Sequence, residues 1–237
     1  MRSDTPDTRR AYTQSIFAVV APVYPLITRL LSFGRDRSWK QTLVQALPDL
    51  KTGVALDIAC GTGDIAVACK KRFPAATVIG ADNSRQMLSG FGRSARVSVP
   101  ATLQDMQRLA IRTASVDLVT GGYALRNAPD ITAAIAEISR VTKPSGVAAF
   151  LDFSRDPRVP VALLHRMALL FWGGLWGLLL HGNPRIYGYI AESLSRFPDR
   201  PGLRRMFGAH GFSETGSWRR MFGMVEIVIF TKTGPGG

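Results

Sequence analysis

The segment VALDIACGTGDIA at residues 54–66 places a Gly-Thr-Gly loop directly after an apolar run that contains one aspartate. Such a run is typical of a buried β-strand that ends in a tight turn before a helix. Gly61 and Gly63 have no Cβ, so the backbone can turn sharply and a ligand can approach it closely. In an open α/β sheet, ligands bind at the carboxyl ends of the strands, which is where this turn lies. The loop therefore predicts an α/β fold with a ligand site at the end of its first strand.

Apolar runs of strand length alternate with helical patterns through residues 50–153. This order predicts parallel strands with right-handed crossovers, and near-continuous apolar runs are typical of strands covered on both faces. The predicted strands are Val54–Ala59, Thr77–Asp82, Val97–Thr102, Val116–Gly121 and Val147–Phe153, and the predicted helices are Gly63–Phe73, Ser84–Gly90 and Asp130–Val141. Two further strands, SETGSWRRMF and GMVEIVIFTK, follow with a tight turn near Phe222 and Gly223. We therefore expect a doubly wound, mostly parallel seven-stranded sheet with an antiparallel last strand.

The two ends of the chain differ from this core. Residues 1–48 predict an N-terminal helical cap, and residues 49–237 predict the main domain, with a helical insertion at 157–209 after the fifth strand. The N-terminal residues lack the apolar stretch of a signal peptide, which predicts a cytoplasmic protein. Cys60 and Cys69 fit neither a disulfide framework nor a zinc site, and no cluster of His, Cys and carboxylates in the sequence predicts a metal.

Three aspartates lie in or after successive predicted strands. Asp57 lies inside the first strand, where a carboxylate is costly to bury unless amides or a cationic ligand pair with it. The glycine spacing alone fits a dinucleotide site, with Ala66 at the third glycine position, but Asp57 would repel a pyrophosphate. Asp82 ends the second strand, where a carboxylate binds ribose hydroxyls, and Asp105 follows the third, where it can accept the adenine amino group.

Together these features predict S-adenosylmethionine, which carries a sulfonium and an ammonium group and no phosphate. Each aspartate taken alone is about as often a turn or cap residue, since Asp82-Asn83-Ser84 has the composition of a helix N-cap. The predicted cofactor-binding residues are Asp57, Gly61, Thr62, Gly63, Asp82, Asn83, Asp105 and Met106. The antiparallel last strand agrees by analogy with the class I methyltransferase sheet, whereas a dehydrogenase sheet usually ends in parallel strands.

Longer segments resemble the ubiquinone/menaquinone biosynthesis C-methyltransferase family over most of the chain. FAVVAPVYPLITRLLSFGRDRSWK is similar to the N-terminal signature of that family, and LDIACGTGDIA is similar to its cofactor loop. YALRNAPDITAAIAEISRVTKPSGVAAFLDFSR resembles its second signature, and YGYIAESLSRFPDRPGLRRMFGAHGF resembles its C-terminal signature. Many methyltransferases share the loop, whereas the Leu-Arg-Asn at 125–127 and the segment YIAESLSRFP are far more specific.

The resemblance implies a Rossmann-like class I methyltransferase that transfers a methyl group from S-adenosylmethionine to a ring carbon of a prenylated quinol. The implied catalytic residues are Tyr24, Arg126, Asn127 and Asp152, and the implied pocket walls are Tyr187, Tyr189, Glu192 and Ser193. Arg126 would stabilise a phenolate because its charge does not switch off, and Tyr24 or Asp152 would accept the proton. Pro25, Thr28 and Asp152 depart from the aspartate, asparagine and glutamate usual in the family, which leaves another lipid or isoprenoid acceptor open.

The net charge of +13 favours an anionic partner, which could be nucleic acid, a membrane surface or an acidic substrate. Nucleic-acid methylation is the weaker alternative, because the sequence lacks an Asn-Pro-Pro-Tyr/Phe motif and aromatic residues interleaved with basic ones. Residues 161–180 hold an apolar run too short for a membrane span, with arginines around it. We expect this segment to line the path of a prenyl tail or to contact the membrane surface, with a homodimer interface or a lid as the alternative.

Overall fold

The computed structural model describes residues 5–91 and 97–234, and within them one seven-stranded sheet has the strand order β3-β2-β1-β4-β5-β7-β6. The strands are β1 (Val54–Ile58), β2 (Thr77–Asp82), β3 (Ala101–Leu103), β4 (Val116–Gly122), β5 (Thr142–Phe153), β6 (Phe212–Arg220) and β7 (Val225–Lys232). β1 to β5 pair in parallel, and β7 pairs antiparallel with both β5 and β6. The predicted α/β sheet with a reversed last strand is therefore confirmed.

The helices lie before, between and after the parallel strands. They are α1 (Pro6–Val20), α2 (Tyr24–Leu31), α3 (Asp36–Gln45), α4 (Asp64–Arg72), α5 (Arg85–Ser89), α6 (Ile131–Val141), α7 (Val159–His181), α8 (Gly188–Arg196) and α9 (Arg200–Ala209). Thr5 is the N-cap residue of α1 and forms a capping box with Thr8, and Gly182 is the C-cap residue of α7, in the left-handed conformation. α1 to α3 precede β1, and α7 to α9 lie between β5 and β6. The division of the chain into two domains stays a prediction.

Two predicted strand boundaries are wrong. β3 begins at Ala101 rather than Val97, and Pro100, which lacks an N–H, contributes to the sheet only its carbonyl, bonded to the Gly80 amide at 2.9 Å. β5 begins at Thr142, upstream of the break expected at Pro144 and Gly146. The β4–β5 register shifts at that break, and Ser145 has a φ of 61°. The break is therefore an irregularity within one strand rather than a loop before it.

The core lies on both faces of the central strands. The helix predicted over Asp130–Val141 is present as α6, and its apolar residues Ala134, Ile135, Ile138 and Val141, which recur at helical spacing, are all fully buried. On β7, the ring of Phe230 stacks on that of Phe207 from α9, with 4.0 Å between centroids. These layers cover the sheet and leave the carboxyl ends of β1, β2, β4 and β5 beneath the N-terminal helices.

α7 packs through one side, which includes two glycines, His165 and Leu169, and leaves most of its other large apolar residues in solvent. Gly173 and Gly177 are buried against the chain that leads into α8, and the indole N–H of Trp172 donates to the carbonyl of Leu30 at 3.3 Å. The opposite side, called the α7 outer face below, consists of Leu163, Leu164, Met167, Leu170, Phe171, Leu178 and Leu179, all exposed. A contiguous exposed apolar surface of this kind is uncommon in a monomeric soluble protein.

Candidate active site

The loop after β1 adopts backbone conformations that favour glycine. Gly61 and Gly63 have φ values of 54° and 87°, and the Gly63 amide donates to the Cys60 carbonyl at 2.8 Å. A Cβ added to Gly63 would approach the ring of Phe91 to 2.6 Å. Gly63 is also the N-cap residue of α4. The sequence Gly-Thr-Gly therefore builds a tight turn that brings the start of α4 close to the tip of β1.

Asp57 is buried beneath this turn. Its Oδ1 accepts from the hydroxyl of Thr120 at 2.8 Å, and its Oδ2 accepts from the amide of Ala66 at 3.2 Å. Burial raises the pKa of this carboxyl to about 7, against the lowering effect of the two hydrogen bonds. The carboxylate thus binds an amide of the first turn of α4, which was one of the two uses expected from the sequence.

Asp82 joins the tip of β2 to the same loop. Its Oδ2 accepts from the amide of Gly61 and its Oδ1 from the amide of Ser84, both at 2.8 Å. Burial raises the pKa of Asp82, and its three backbone hydrogen bonds oppose that shift. The structure therefore brings the predicted residues Asp57, Gly61, Gly63 and Asp82 together at neighbouring strand ends.

Asp105 makes contacts that the sequence did not predict. Its Oδ2 lies 3.0 Å from Nη2 of Arg10 in α1, and its Oδ1 accepts from the Gln107 amide at 2.9 Å. Gln14 of α1 donates to the carbonyl of Asn83 at 3.3 Å. α1 therefore lies across the ends of β2 and β3. Met106 is half-buried beside Asp105, and Thr62 lines an open cleft between α4 and the N-terminal helices.

Arg126 lies on the 3₁₀ turn after β4 and is buried. Its Nη1 donates to the Ser193 hydroxyl at 2.9 Å and to Oδ1 of Asn127 at 3.2 Å, and its Nε lies 3.3 Å from Oδ1 of Asp152. The guanidinium carbon lies 5.1 Å from the ring centroid of Phe153 and 5.4 Å from that of Tyr189. Two aromatic rings and one carboxylate thus hold a permanent cation at the end of the sheet.

Asp152 and Asn127 direct polar atoms to the backbone. The carboxylate of Asp152 accepts from the amides of Phe153 at 2.8 Å and Arg126 at 3.2 Å, and burial raises its pKa to about 6 although Arg126 lowers it. The side-chain amide of Asn127 donates to the carbonyl of Tyr123 at 2.7 Å. Both residues therefore fix the shape of the turn that carries Arg126.

A cavity of about 40 Å³, called the α2 cavity below, lies between α2 and the strand ends, with room for about three waters. Its lining includes Tyr24, Ile27, Thr28, Tyr123, Arg126, Phe153, Tyr187 and Tyr189. Burial raises the pKa of the Tyr24 phenol well above its usual value. Glu192 and Ser193, expected in the same wall, line the neighbouring cleft with Asn127 instead. Thr28 bonds its hydroxyl back to the Tyr24 and Pro25 carbonyls at 3.0 and 3.1 Å.

The structure adds residues that the sequence analysis missed. The hydroxyl of Tyr123 donates to Oδ1 of Asp36 at 2.9 Å, and Nζ of Lys40 lies 2.7 Å from Oδ2 of Asp36. Their only signal in the sequence was their position inside the N-terminal and second signature segments. In residues 5–91 and 97–234, no group of three or more His, Cys, Asp or Glu side chains could hold a metal ion.

Comparison with known sequences gives a consistent set of relatives. The ubiE/COQ5 methyltransferase family matches residues 5–232. A demethylmenaquinone methyltransferase of Thermus thermophilus is 36% identical over 205 residues, which cover 84% of this chain and 91% of the relative. A ubiquinone/menaquinone biosynthesis C-methyltransferase of Rubrivivax gelatinosus is 31% identical over 227 residues, which cover 94% of this chain and 88% of the relative.

Solved structures share the fold at low sequence identity. A methyltransferase in complex with the Haloferax volcanii activator Trm112 has a TM-score of 0.68 at 15% identity, over 92% of this chain and 98% of that chain. The magnesium protoporphyrin IX methyltransferase of Synechocystis PCC 6803, solved with bound SAH, has a TM-score of 0.58 at 17% identity, over 83% of each chain. The class I methyltransferase fold is thereby confirmed.

Proposed function

The chain belongs to the ubiE/COQ5 methyltransferase family and is an S-adenosylmethionine-dependent C-methyltransferase, and on that premise we propose that its acceptor is a ring carbon of a prenylated quinol. The observation that carries this proposal is the buried guanidinium of Arg126 in the wall of a cavity lined mainly by aromatic and aliphatic side chains. A cation held there stabilises negative charge on a ring oxygen. The surrounding apolar side chains match a ring and a prenyl tail in chemistry, and the cavity must widen to admit them, because about 40 Å³ holds about three waters.

The residues at the ends of β1 and β2 fit the cofactor. Buried carboxylates at Asp57 and Asp82 suit a nucleoside with a cationic tail, and they disfavour a pyrophosphate. We propose that the cofactor is held by Asp57, Gly61, Thr62, Gly63, Asp82, Asn83, Asp105 and Met106. For Asp105 to accept an adenine amino group, Arg10 must give up its ion pair, so we expect α1 to shift when the cofactor binds.

S-adenosylmethionine, when bound, supplies a methyl group on a sulfonium that is already a good leaving group. The protein therefore contributes alignment, exclusion of water and electron density on the acceptor ring. Arg126 stabilises the phenolate form of the quinol, because its charge does not change with pH in the physiological range. Tyr24 and Tyr189 enclose the ring, and Asn127 and Asp152 hold the turn on which Arg126 lies.

Methyl transfer is tested by incubating the purified protein with labelled S-adenosylmethionine and short-chain prenylated naphthoquinol or benzoquinol kept reduced, and by identifying products by mass spectrometry. We expect label on a ring carbon of at least one quinol, and loss of product in the Arg126→Gln variant. Label on an oxygen, on a non-quinol lipid or on nucleic acid would overturn the proposal, and so would no transfer to any quinol. Lys143→Gln, at the opposite end of the sheet, is the matched control.

We propose further that the α7 outer face contacts the membrane surface in which such a substrate resides. The helical run Asp7–Leu31, which comprises α1, a 3₁₀ turn and α2, and the helix Val159–His181 are long and apolar enough to span a membrane by length and composition, with only 22% of the most apolar window of the second buried. Exposed arginines lie near the ends of α7, including Arg155, Arg158, Arg166 and Arg185. A basic rim around an apolar helix favours an anionic bilayer surface and a cytoplasmic location beside it.

A further inference from the structure

Tyr123 has a strained backbone at the end of β4. Its φ is 56°, in the left-handed region, a strained conformation for an aromatic residue that is concentrated at functional sites. Two hydrogen bonds hold it there, from its amide to the Leu151 carbonyl at 2.6 Å and from the Asn127 side chain to its own carbonyl at 2.7 Å. In this conformation the side chain lines the α2 cavity and its hydroxyl donates to Asp36.

A chain of polar contacts leads from this hydroxyl to solvent. Tyr123 donates to Asp36 at 2.9 Å, Asp36 pairs with Lys40 at 2.7 Å, and Lys40 pairs with Asp64 at 2.7 Å. The side chains of Asp36 and Lys40 are each 10% exposed, whereas that of Asp64 is 54% exposed. Asp36, Lys40 and Asp64 all line the open cleft, so Asp36 lies between the α2 cavity, which Tyr123 lines, and the water of that cleft.

We propose that Tyr123 and Asp36 form the proton exit of the methyl-transfer reaction. This inference rests on the proposed quinol acceptor. Tyr123 would contact the substrate and is the catalytic residue, and Asp36, held by Lys40, is the acceptor behind it. The charged and titratable groups that face Tyr123 are Asp36, Tyr24 and Asp152.

The proton transfers balance. The O–H bond of the quinol breaks as its proton passes to Oη of Tyr123, whose own proton passes to Oδ1 of Asp36. After methyl transfer, the methylated ring carbon loses its hydrogen as a proton, and the ring oxygen takes up one proton. This restores the aromatic ring and its hydroxyl. One proton per turnover therefore leaves the enzyme, and Asp36 releases it to water in the open cleft. Burial and the neighbouring Asp36 raise the pKa of Tyr123 well above its usual value, so the phenol stays protonated between transfers and acts as a relay.

The other two candidates for this role are less well placed. The carboxylate of Asp152 is bound to the amides of Arg126 and Phe153, and the residue lines a separate, smaller cavity. Tyr24 lines the α2 cavity, but its hydroxyl forms no hydrogen bond with the part of the chain that the structure describes. Tyr123 alone of the three joins the cavity to a carboxylate at the open cleft.

The test compares Tyr123→Phe, Asp36→Asn and the double variant with the wild type, at saturating S-adenosylmethionine and varied short-chain prenylated quinol. At neutral pH we expect kcat to fall by at least about 100-fold in each single variant, with KM changed less than about threefold. The double variant should be no slower than the slower single variant, because the two residues act in one path. The loss of kcat relative to the wild type should become smaller in each variant as the pH rises toward about 10, where the quinol loses its proton to solution.

Asp117→Asn is the matched control, since it also removes a carboxylate from a lysine, at the other end of the sheet, and its kcat should equal that of the wild type. Quinol binding, measured by quenching of tryptophan fluorescence, should be unchanged in Tyr123→Phe. If Asp36→Asn fails to fold, Asp36→Glu and Tyr123→Phe decide the question.

A Tyr123→Phe enzyme that keeps a wild-type kcat, or whose loss of kcat is the same at every pH, would overturn the proposed proton exit. A wild type inactive on every quinol would instead overturn the proposed function.

Discussion

Asp57 and Asp82 are carboxyl groups enclosed by protein on the edge where the cofactor is proposed to bind. Asp82 bridges two amides, one on the glycine loop and one at the start of α5, so it shapes the site even before a ligand arrives. Asp57 is held by a threonine hydroxyl and an amide, with a pKa raised by burial to about 7. We therefore expect both the free energy of cofactor binding and the free energy of folding to depend on these two side chains.

Replacing Asp82 by alanine should weaken the binding of S-adenosylmethionine by about 1–3 kcal/mol, because hydrogen bonds to a charged acceptor are lost. Isothermal titration calorimetry measures this directly. The matched control is Asp49→Ala, which removes an exposed carboxylate paired with Arg72 and should leave the affinity unchanged. An unaltered dissociation constant in Asp82→Ala would contradict the assignment of the site.

Asp57 should make the unliganded protein less stable as the pH rises from about 4 to about 7. The folded-state pKa of this acid is raised, so the native state binds more protons than the unfolded state across that window, and stability falls as they are released. The free energy of unfolding of the wild type relative to Asp57→Asn should therefore fall by a few kcal/mol over this range, at about 1.4 kcal/mol per pKa unit.

Urea unfolding at several pH values measures the difference between the two proteins. For the control Asp117→Asn, the free energy of unfolding relative to the wild type should stay constant from about pH 4 to 7. Burial raises the pKa of Asp117, but Lys143 and the Val54 amide lower it by more, so this carboxyl titrates below that window. A constant difference between wild type and Asp57→Asn would show that Asp57 is ionised throughout.

At the scale of elements, α7 depends on glycines where it meets the chain leading into α8. A Cβ on Gly177 would approach the Asn183 carbonyl oxygen to 2.6 Å, while a Cβ on Gly174 would lie 3.6 Å from the Pro184 carbonyl oxygen. The first distance requires the helix to move, and the second is an ordinary contact. Because Tyr187 packs against this joint and lines the α2 cavity, the position of α7 also sets the cavity wall.

Gly177→Ala should lower the free energy of unfolding by about 1–3 kcal/mol, through the cost of overpacking a buried contact. Gly174→Ala, three residues away on the same helix, should be neutral or stabilising by up to about 1 kcal/mol, since alanine favours helix more than glycine does. Thermal unfolding of both variants decides between these effects. Equal midpoints would show that the joint is loose enough to accept a side chain.

Sequence reasoning predicted those elements whose signals are local. The glycine loop, the apolar face of α6 and the reversed last strand all follow from spacing or periodicity. The bounds of β3 and β5 were wrong, because strand length there depends on which neighbour offers a hydrogen bond. The contacts of Asp105 with Arg10, and of Tyr123 with Asp36, join residues far apart in the chain and had no pattern to reveal them. The family assignment was confirmed, and the predicted roles of the site residues stay predictions.

At the scale of the whole molecule, charge and apolar surface act together. The net charge of +13 attracts the protein to any anionic surface, and this attraction is screened by salt over about 10 Å at 0.1 M. The α7 outer face adds a short-range attraction that salt does not screen. A protein with both should approach an anionic bilayer by charge and remain there by burial of apolar side chains.

Flotation with vesicles tests this membrane contact. We expect binding to vesicles rich in phosphatidylglycerol, weaker binding to phosphatidylcholine alone, and partial retention when salt is raised to about 0.5 M. The double variant Leu164→Glu, Phe171→Glu should lose the salt-resistant part, while Leu103→Glu, an exposed leucine on β3, should keep it. Wild-type protein that sediments as a dimer and becomes monomeric in the double variant would assign the α7 outer face to self-association instead.

The position of β7 has a consequence for how the protein is made. This strand pairs with β5 on one side and β6 on the other, yet it is the last of the seven to leave the ribosome. In a nascent chain that ends at Arg220, β5 therefore has an open edge and β6 lacks the strand that joins it to the sheet, so both can pair with other chains. Translation that stops shortly before residues 225–232 should yield aggregates rather than a slightly shortened enzyme. We expect chaperones to bind the growing polypeptide until β7 pairs with β5 and β6.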